Sequence, residues 1–111
     1  MKTILKRDKF KSARGGYSRL LDISCRKCGQ QVVTYQKDGP GNLRRLYLDR
    51  IFSPDQLVGL QNSNLKDISQ LKCTKCDEVL GTPYVYPKES RKAFRLYQDS
   101  VVKKIKKLNK E

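Results

Sequence analysis

Two Cys-x-x-Cys motifs constrain the fold of this 111-residue chain more than any other feature. The motifs are Cys25-Arg-Lys-Cys28 and Cys73-Thr-Lys-Cys76, with 44 residues between them. A Cys-x-x-Cys motif forms a tight turn that brings two sulfur atoms onto one ion, and two such turns supply the four thiolates of a tetrahedral zinc site. We therefore expect Cys25, Cys28, Cys73 and Cys76 to bind one structural Zn²⁺. Four thiolates also suit iron, but the sequence shows no redox context that would favour it.

Other uses of paired cysteines fit the sequence less well. A redox Cys-x-x-Cys pair usually ends a strand and opens a helix, whereas Gly29 and Asp77 follow these motifs and precede residues that favour strands. Structural disulfides belong to oxidising compartments. Because Met1–Arg19 has no apolar core typical of a signal peptide, we expect a cytoplasmic protein with reduced thiols.

The composition argues against catalysis by the metal. Catalytic zinc usually has three protein ligands, often including His, and an open position for water. The chain has no His, and its four Cys would close the coordination sphere. We also find no pair of carboxylates at a spacing typical of acid–base catalysis. The sequence therefore predicts a protein that is not an enzyme and that has no small-molecule substrate.

The fold predicted from the sequence is a small α+β domain held together by the metal. Only 37% of the residues are apolar and Trp is absent, so a chain of this size needs a metal to stabilise its small core. We expect a basic flexible arm over 1–19, a β-rich zinc domain over 20–87, and a basic helix over 88–111 that packs on the domain. Within the domain, the pattern predicts a strand near 20–23, a strand over 31–36, a turn over 37–42, a strand in the first half of 43–52, a helix over 54–60, and strands at 79–80 and 84–86 separated by a kink.

The C-terminal segment has the periodicity of an amphipathic helix. Its apolar residues are spaced by 3, 4, 4 and 3 positions, and lysines fill the positions between them. These apolar residues are Phe94, Tyr97, Val101, Ile105 and Leu108. A basic amphipathic helix can lie on anionic lipid, but this stripe has one Phe and no Trp, so we expect no membrane partner.

Two resemblances follow from the cysteine motifs. Cys25-x-x-Cys28-Gly29 and Cys73-x-x-Cys76, each followed by β-rich sequence, resemble the zinc-ribbon class. That resemblance implies two zinc knuckles at the tips of β-hairpins. The zinc-ribbon class is common among RNA polymerase subunits, transcription factors and ribosomal proteins. Cys73-Thr-Lys-Cys76-Asp-Glu-Val-Leu80-Gly81-x-x-Tyr84 is similar to the second knuckle of β-tent proteins, such as the yippee family and B-type methionine sulfoxide reductases. Those reductases need a further catalytic Cys, which this chain lacks, so the resemblance does not imply their activity.

The charge distribution points to a polyanionic partner. The formal net charge is +14, and most of it lies at the two ends of the chain. We expect nucleic acid, with RNA in a ribonucleoprotein or the ribosome as the first choice. The alternatives are a DNA-binding accessory of transcription and an adaptor for an acidic protein. The candidate phosphate contacts are Lys6, Arg7, Lys9, Lys11, Arg14, Arg19, Lys37, Arg44, Arg45, Arg91, Lys92, Arg95, Lys103, Lys104, Lys106 and Lys107.

Three tyrosines allow two interpretations. Tyr35, Tyr84 and Tyr86 lie in segments that favour strands. Exposed tyrosines there would stack on bases, whereas buried ones would form the small core. We expect them to belong to the core.

Overall fold

The computed structural model describes residues 5–6, 8–13, 15 and 18–106. Within these residues, one short helix, α1 (Lys9–Ala13), precedes eight strands. The strands are β1 (Ser18–Cys25), β2 (Gln31–Asp38), β3 (Arg45–Tyr47), β4 (Ile51–Ser53), β5 (Leu71–Lys72), β6 (Val79–Tyr86), β7 (Arg91–Leu96) and β8 (Val101–Ile105). The prediction of a small, mostly β domain with clustered cysteines is thus confirmed.

The strands form two antiparallel sheets of four strands each. The first sheet has the order β4-β2-β1-β8 and the second has the order β3-β7-β6-β5. Alternation along β1 shows how the sequence sets the buried face, because Leu21, Ile23 and Cys25 are buried while Asp22 and Ser24 are partly exposed. Successive residues of a strand point to opposite faces, so this alternation turns one face of the sheet toward the core.

The hydrophobic core joins the two sheets. The first sheet contributes side chains from β1, β2 and β4, and the second contributes side chains from all four of its strands. The central residues of this cluster are Leu21, Ile23, Val33, Tyr35, Leu46, Ile51, Leu71, Leu80 and Phe94. The core prediction is confirmed for Tyr35, which is 2% exposed, whereas Tyr84 and Tyr86 are only partly buried.

The predicted C-terminal helix is wrong for residues 88–106. This stretch forms two strands separated by a turn at 97–100, and β7 pairs with β6 and β3 while β8 pairs with β1. The apolar residues do not share one face, since Phe94 is 1% exposed and Ile105 is 56% exposed. Leu108 lies outside the described residues.

Tertiary pairing explains why strands replace the helix. Strands β6 and β1 each have an edge that needs hydrogen-bonding partners, and β7 and β8 supply those partners. The segment contains β-branched Val101, Val102 and Ile105, which favour strands. Ser90 and Asp99 adopt left-handed backbone angles, with φ of 52° and 60°, and these turns interrupt any continuous helix. Helical spacing over one segment is a weaker signal than these sheet contacts.

The predicted helix over 54–60 is also wrong. Residues Asp55–Leu57 and Leu60–Asn62 form separate 3₁₀ turns. Gly59 lies between them with a φ of 88°, which a continuing helix does not allow. The two short predicted strands at 79–80 and 84–86 are one continuous strand, β6. The 43–52 segment, where a strand is predicted for the first half, contains β3, a 3₁₀ turn (Leu48–Arg50) and the start of β4.

Part of the N-terminal arm has regular structure. Asp8 caps α1, because its Oδ1 accepts hydrogen bonds from the backbone N–H groups of Phe10 and Lys11. The same carboxylate forms an ion pair of 2.6 Å with Arg50, whose side chain is 1% exposed. Asp8 thereby ties α1 to the sheets. Within the described part of the chain, no helix has the length and apolar character needed to cross a membrane.

Candidate metal centre and basic groove

The two Cys-x-x-Cys motifs form equivalent knuckles. In the first, the Cys25 N–H donates to the carbonyl of Gln30 at 2.8 Å, and the Gly29 N–H donates to the carbonyl of Cys25 at 2.8 Å. In the second, Cys73 and Asp77 repeat both bonds at 2.9 Å, with Glu78 as the acceptor for Cys73. Gly29 and Asp77 both have positive φ angles, 81° and 63°, which close the two turns in the same way.

The four sulfur atoms form one compact cluster. The Sγ atoms of Cys25 and Cys76 are 3.7 Å apart, those of Cys28 and Cys73 are 3.4 Å apart, and all four lie within 4.8 Å of one another. A Zn–S bond is about 2.3 Å, so tetrahedral zinc places its sulfur ligands about 3.8 Å apart. The cluster fits this spacing and can hold one metal ion without rearrangement of the fold. The prediction that these four residues lie together, where they could hold one metal ion, is thus confirmed.

The cluster connects the two sheets. Cys25 is the last residue of β1 in the first sheet, whereas Cys73 and Cys76 lie between β5 and β6 of the second. Cys25 and Cys73 are buried, and Cys28 and Cys76 are partly buried. A metal bound here would join the two sheets through two motifs that are 44 residues apart in the chain.

The ionisation of the thiols also favours a bound cation. A hydrogen bond from the Cys76 backbone N–H, aided by other donors, lowers the pKa of Cys73 to about 7. The Glu78 N–H lowers the pKa of Cys76, but desolvation and the three neighbouring thiols outweigh it and raise this pKa to about 12. The cluster therefore favours the ionised form of Cys73 and disfavours that of Cys76. A cation at the centre of the cluster would stabilise both thiolates.

Beside the metal cluster lies a concave groove of about 1040 Å³. Its lining combines residues from β3, β6, β7, the 97–100 turn and β8 with Arg26 of the first knuckle. Among the described residues, five basic side chains but only one acidic side chain, Asp99, line it. The basic residues are Arg26, Arg44, Arg45, Arg95 and Lys103. We call this feature the basic groove.

Contacts between aromatic and basic side chains fix part of the lining of the basic groove. Arg45 Nε donates to the Tyr84 hydroxyl at 2.9 Å, and the Arg45 guanidinium lies 4.1 Å from the centre of the Tyr86 ring. Tyr86 in turn packs edge-on against Tyr47, with ring centres 5.9 Å apart. In contrast, Arg44 and Arg95 are exposed, and no described carboxylate forms an ion pair with either.

The basic groove is linked to the metal centre through the 97–100 turn. The Arg26 N–H donates to the Ser100 carbonyl at 3.0 Å, which joins the first knuckle to the turn. The Tyr97 N–H and the Ser100 hydroxyl both donate to the Leu80 carbonyl of β6, at 3.0 and 2.9 Å. The position of the 97–100 turn in the basic groove therefore depends on both the first knuckle and β6.

Comparison of the chain with protein-family models, curated proteins and solved structures finds no match.

The structure brings only some of the predicted phosphate contacts together. Arg44, Arg45, Arg95 and Lys103 line the basic groove. Five others lie outside it, and three lie outside the described residues. The five are Lys9, Lys11, Lys104, Lys106 and Arg19, whose Nε is buried, and the three are Arg7, Arg14 and Lys107.

Four predicted phosphate contacts instead make contacts within the fold. Lys6 Nζ donates to the Asp49 carbonyl, and Lys37 Nζ donates to the Gly39 carbonyl at 2.9 Å. Lys92 Nζ donates to two carbonyls, at 2.6 and 3.1 Å, in the 60–63 segment. Arg91 is 6% exposed and forms a 2.7 Å ion pair with Asp49.

Arg91 shows that a basic side chain can be held inside the fold, although its buried Nε has no hydrogen-bond partner among the described residues. Its guanidinium lies 4.0 Å from the ring centre of Phe10 and 3.8 Å from that of Tyr47. Glu89 adds a second carboxylate at 3.1 Å. Cation–π contacts and two ion pairs thus stabilise this buried charge.

Sequence reasoning missed two residues of the basic groove. Arg26 lies inside the first cysteine motif, and Tyr97 belongs to the predicted apolar stripe, so neither is among the predicted phosphate contacts. Tyr97 lies in the segment Tyr97-Gln98-Asp99-Ser100. The turn-forming residues Asp99 and Ser100 were the signal available in the sequence.

Proposed function

We propose that this protein is a nucleic-acid-binding protein stabilised by zinc, and that it is not an enzyme. The observation that carries this proposal is the basic groove, where five basic residues and one acidic residue line a concave surface beside the cysteine cluster. Basic side chains bind phosphates and release condensed counterions. RNA is the favoured partner, because its loops and bulges can enter a concave surface while a duplex keeps its bases inside.

Zinc is the metal that best suits the cysteine cluster. Four Cys ligands close a tetrahedral coordination sphere, which is typical of structural zinc, and the sulfur spacing matches that geometry. The role of zinc is to join the sheets and to hold the first knuckle, which contacts the 97–100 turn. The similarity of both motifs to zinc-ribbon sequences supports the same assignment.

Arg44 and Arg95 are the side chains best placed to contact phosphates. Both are exposed and line the basic groove, whereas Arg45 is held by Tyr84 and Tyr86. The carbonyl of Arg44 accepts a hydrogen bond of 3.1 Å from the Leu96 N–H, so the backbone of this residue is fixed to β7. Exposed guanidinium groups on a fixed backbone provide charge without a large reorganisation on binding.

The experiment that tests this function is a fluorescence-anisotropy titration of zinc-loaded protein with structured RNA and with duplex DNA of equal length. We expect RNA to bind at physiological salt, and the double variant Arg44→Gln/Arg95→Gln to bind about ten- to a hundredfold more weakly. The slope of log K against log salt should also fall, by about 0.7 for each lost phosphate contact on a single strand.

The matched control is Lys66→Gln/Lys72→Gln, which removes the same charge from exposed positions outside the basic groove. This control should retain most of the affinity. Equal affinity of the arginine variant and the native protein would refute the basic groove as the binding site. If DNA binds more tightly than RNA at physiological salt, the partner is DNA. Retention of a cellular partner after nuclease treatment would instead indicate an adaptor for a protein.

A further inference from the structure

We infer that the basic groove binds unpaired nucleotides by stacking a base on Tyr97. This inference rests on the proposed function and names the part of the nucleic acid that the basic groove recognises. Tyr97 is 49% exposed, and it is the one aromatic residue among the large exposed hydrophobic residues that the structure describes. Tyr97 lines the basic groove together with Arg95 and Lys103.

The backbone of Tyr97 is held while its side chain remains accessible. Its N–H donates to Leu80 and its carbonyl accepts a 3.2 Å hydrogen bond from the Ser100 N–H. The other two tyrosines of the basic groove are used by the fold, because both contact Arg45. Among the described residues, no hydrogen bond or ring contact engages the Tyr97 side chain. Tyr97 is therefore the aromatic surface in the basic groove that is left for a ligand.

The combination of charge and aromatic surface specifies the ligand. Proteins that bind single strands place aromatic rings, on which bases stack, beside basic residues that follow the phosphates. The basic groove has both, with Arg44, Arg95 and Lys103 near Tyr97, and the amides of Asn42 and Gln98 also line it. Amide groups can hydrogen-bond to the edges of unpaired bases. A duplex cannot use Tyr97 in this way, because its bases are stacked on one another.

The inference is tested with variants that report stacking separately from charge. The native chain has no Trp, so Tyr97→Trp introduces a single tryptophan into the basic groove. Val58→Trp is the matched control, since Val58 is 47% exposed and lies outside the basic groove. The probes are a 12-nucleotide oligouridine, an abasic strand of the same length and charge, and a 12-base-pair RNA duplex.

We expect oligouridine to quench the fluorescence of the Tyr97→Trp protein along the same titration curve that anisotropy gives, and to leave Val58→Trp unquenched. Tyr97→Leu should weaken oligouridine binding roughly 5- to 150-fold, the range for loss of one stacked base. Tyr97→Phe should bind like the native protein, and neither variant should change the affinity for the abasic strand. A deoxyuridine 12-mer shows whether the 2′-hydroxyl contributes.

Two results would overturn the inference. One is equal affinity of the native protein for oligouridine and for the abasic strand, and the other is an unquenched Tyr97→Trp protein when oligouridine is bound. In both cases, if affinity for the strands still depends on Arg44 and Arg95, the proposed function stands without the stacking contact. Failure of every strand and duplex to bind would overturn both.

Discussion

Loss of one cysteine ligand should unfold the protein, and the structure allows the size of the effect to be worked out. Cys73 is fully buried and lies between β5 and β6. A metal bound at the cluster would link it to a knuckle in the other sheet and close a loop of 44 residues. By the loop-closure relation for crosslinks, a loop of this length restricts the unfolded chain by about 4 kcal/mol. We expect at least this loss of unfolding free energy in Cys73→Ser.

The total loss should be larger, because structural zinc contributes on the order of 10–16 kcal/mol in small zinc domains. The whole stability of a typical domain is about 5–15 kcal/mol. Even the minimum loss of about 4 kcal/mol lowers the melting temperature by roughly 16 °C in a domain of this size. Cys73→Ser, and native protein treated with a chelator, should therefore already be unfolded at 25 °C and show no cooperative melting transition above it.

Thermal melts followed by circular dichroism measure this effect, with metal content determined by mass spectrometry. Thr74→Ser is the matched control, since Thr74 is exposed and adjacent to the ligand. One zinc ion per chain and refolding of the chelated native protein on addition of Zn²⁺ would complete the expected result. Cooperative melting of Cys73→Ser within a few degrees of Thr74→Ser would refute a structural role for the metal. Iron in place of zinc would refute the choice of metal alone.

Two further predictions concern single residues of the two sheets, Asp38 on β2 and Gly81 on β6. Burial opposes ionisation of Asp38, but hydrogen bonds from Ser18, Gln36 and Arg50 outweigh it and hold the pKa of Asp38 below its usual value. The stability that this carboxylate contributes is thus present above about pH 3.8 and is lost as the pH falls through its lowered folded-state pKa. Asp38→Asn should cost about 2–3 kcal/mol at pH 7 and flatten the acid limb of the urea-unfolding profile; an acid limb as steep as that of the native protein would contradict this account. Gly81→Ala should cost about 1–3 kcal/mol, because the new Cβ would lie 2.8 Å from the carbonyl oxygen of Arg95 on β7; an unchanged urea midpoint would show that β6 and β7 separate without cost.

The spacing of the cysteines is enough to predict the cluster of four thiols that could hold a metal ion. A Cys-x-x-Cys turn is local, so both knuckles could be predicted from neighbouring residues. The alternation of β1 and the strand-forming residues of β2 are local signals of the same kind. The predicted phosphate contacts do not all lie at one site, and some of them make contacts within the fold. Net charge alone does not show which basic side chains make such internal contacts.

Arg91 and Arg95 illustrate this difference. They lie four residues apart on one strand, and the sequence pattern predicts that both are surface charges on a helix. In the fold, Asp49 and the rings of Phe10 and Tyr47 surround Arg91, while Arg95 is exposed at the basic groove. These partners come from distant segments, so no local pattern could separate the two arginines.

The sequence by itself determined which four cysteines form the candidate metal cluster, the β-rich character of the domain and the excess of positive charge. Only the tertiary structure decided that residues 91–96 and 101–105 are strands, that the cysteine cluster joins two sheets, and that Tyr97 lies exposed beside Arg95. The physical reason is that hydrogen bonding along a sheet edge and burial between two sheets are long-range interactions. They outweigh the helical periodicity of a short segment, and they bring together residues of the basic groove that are up to 77 positions apart, from Arg26 to Lys103.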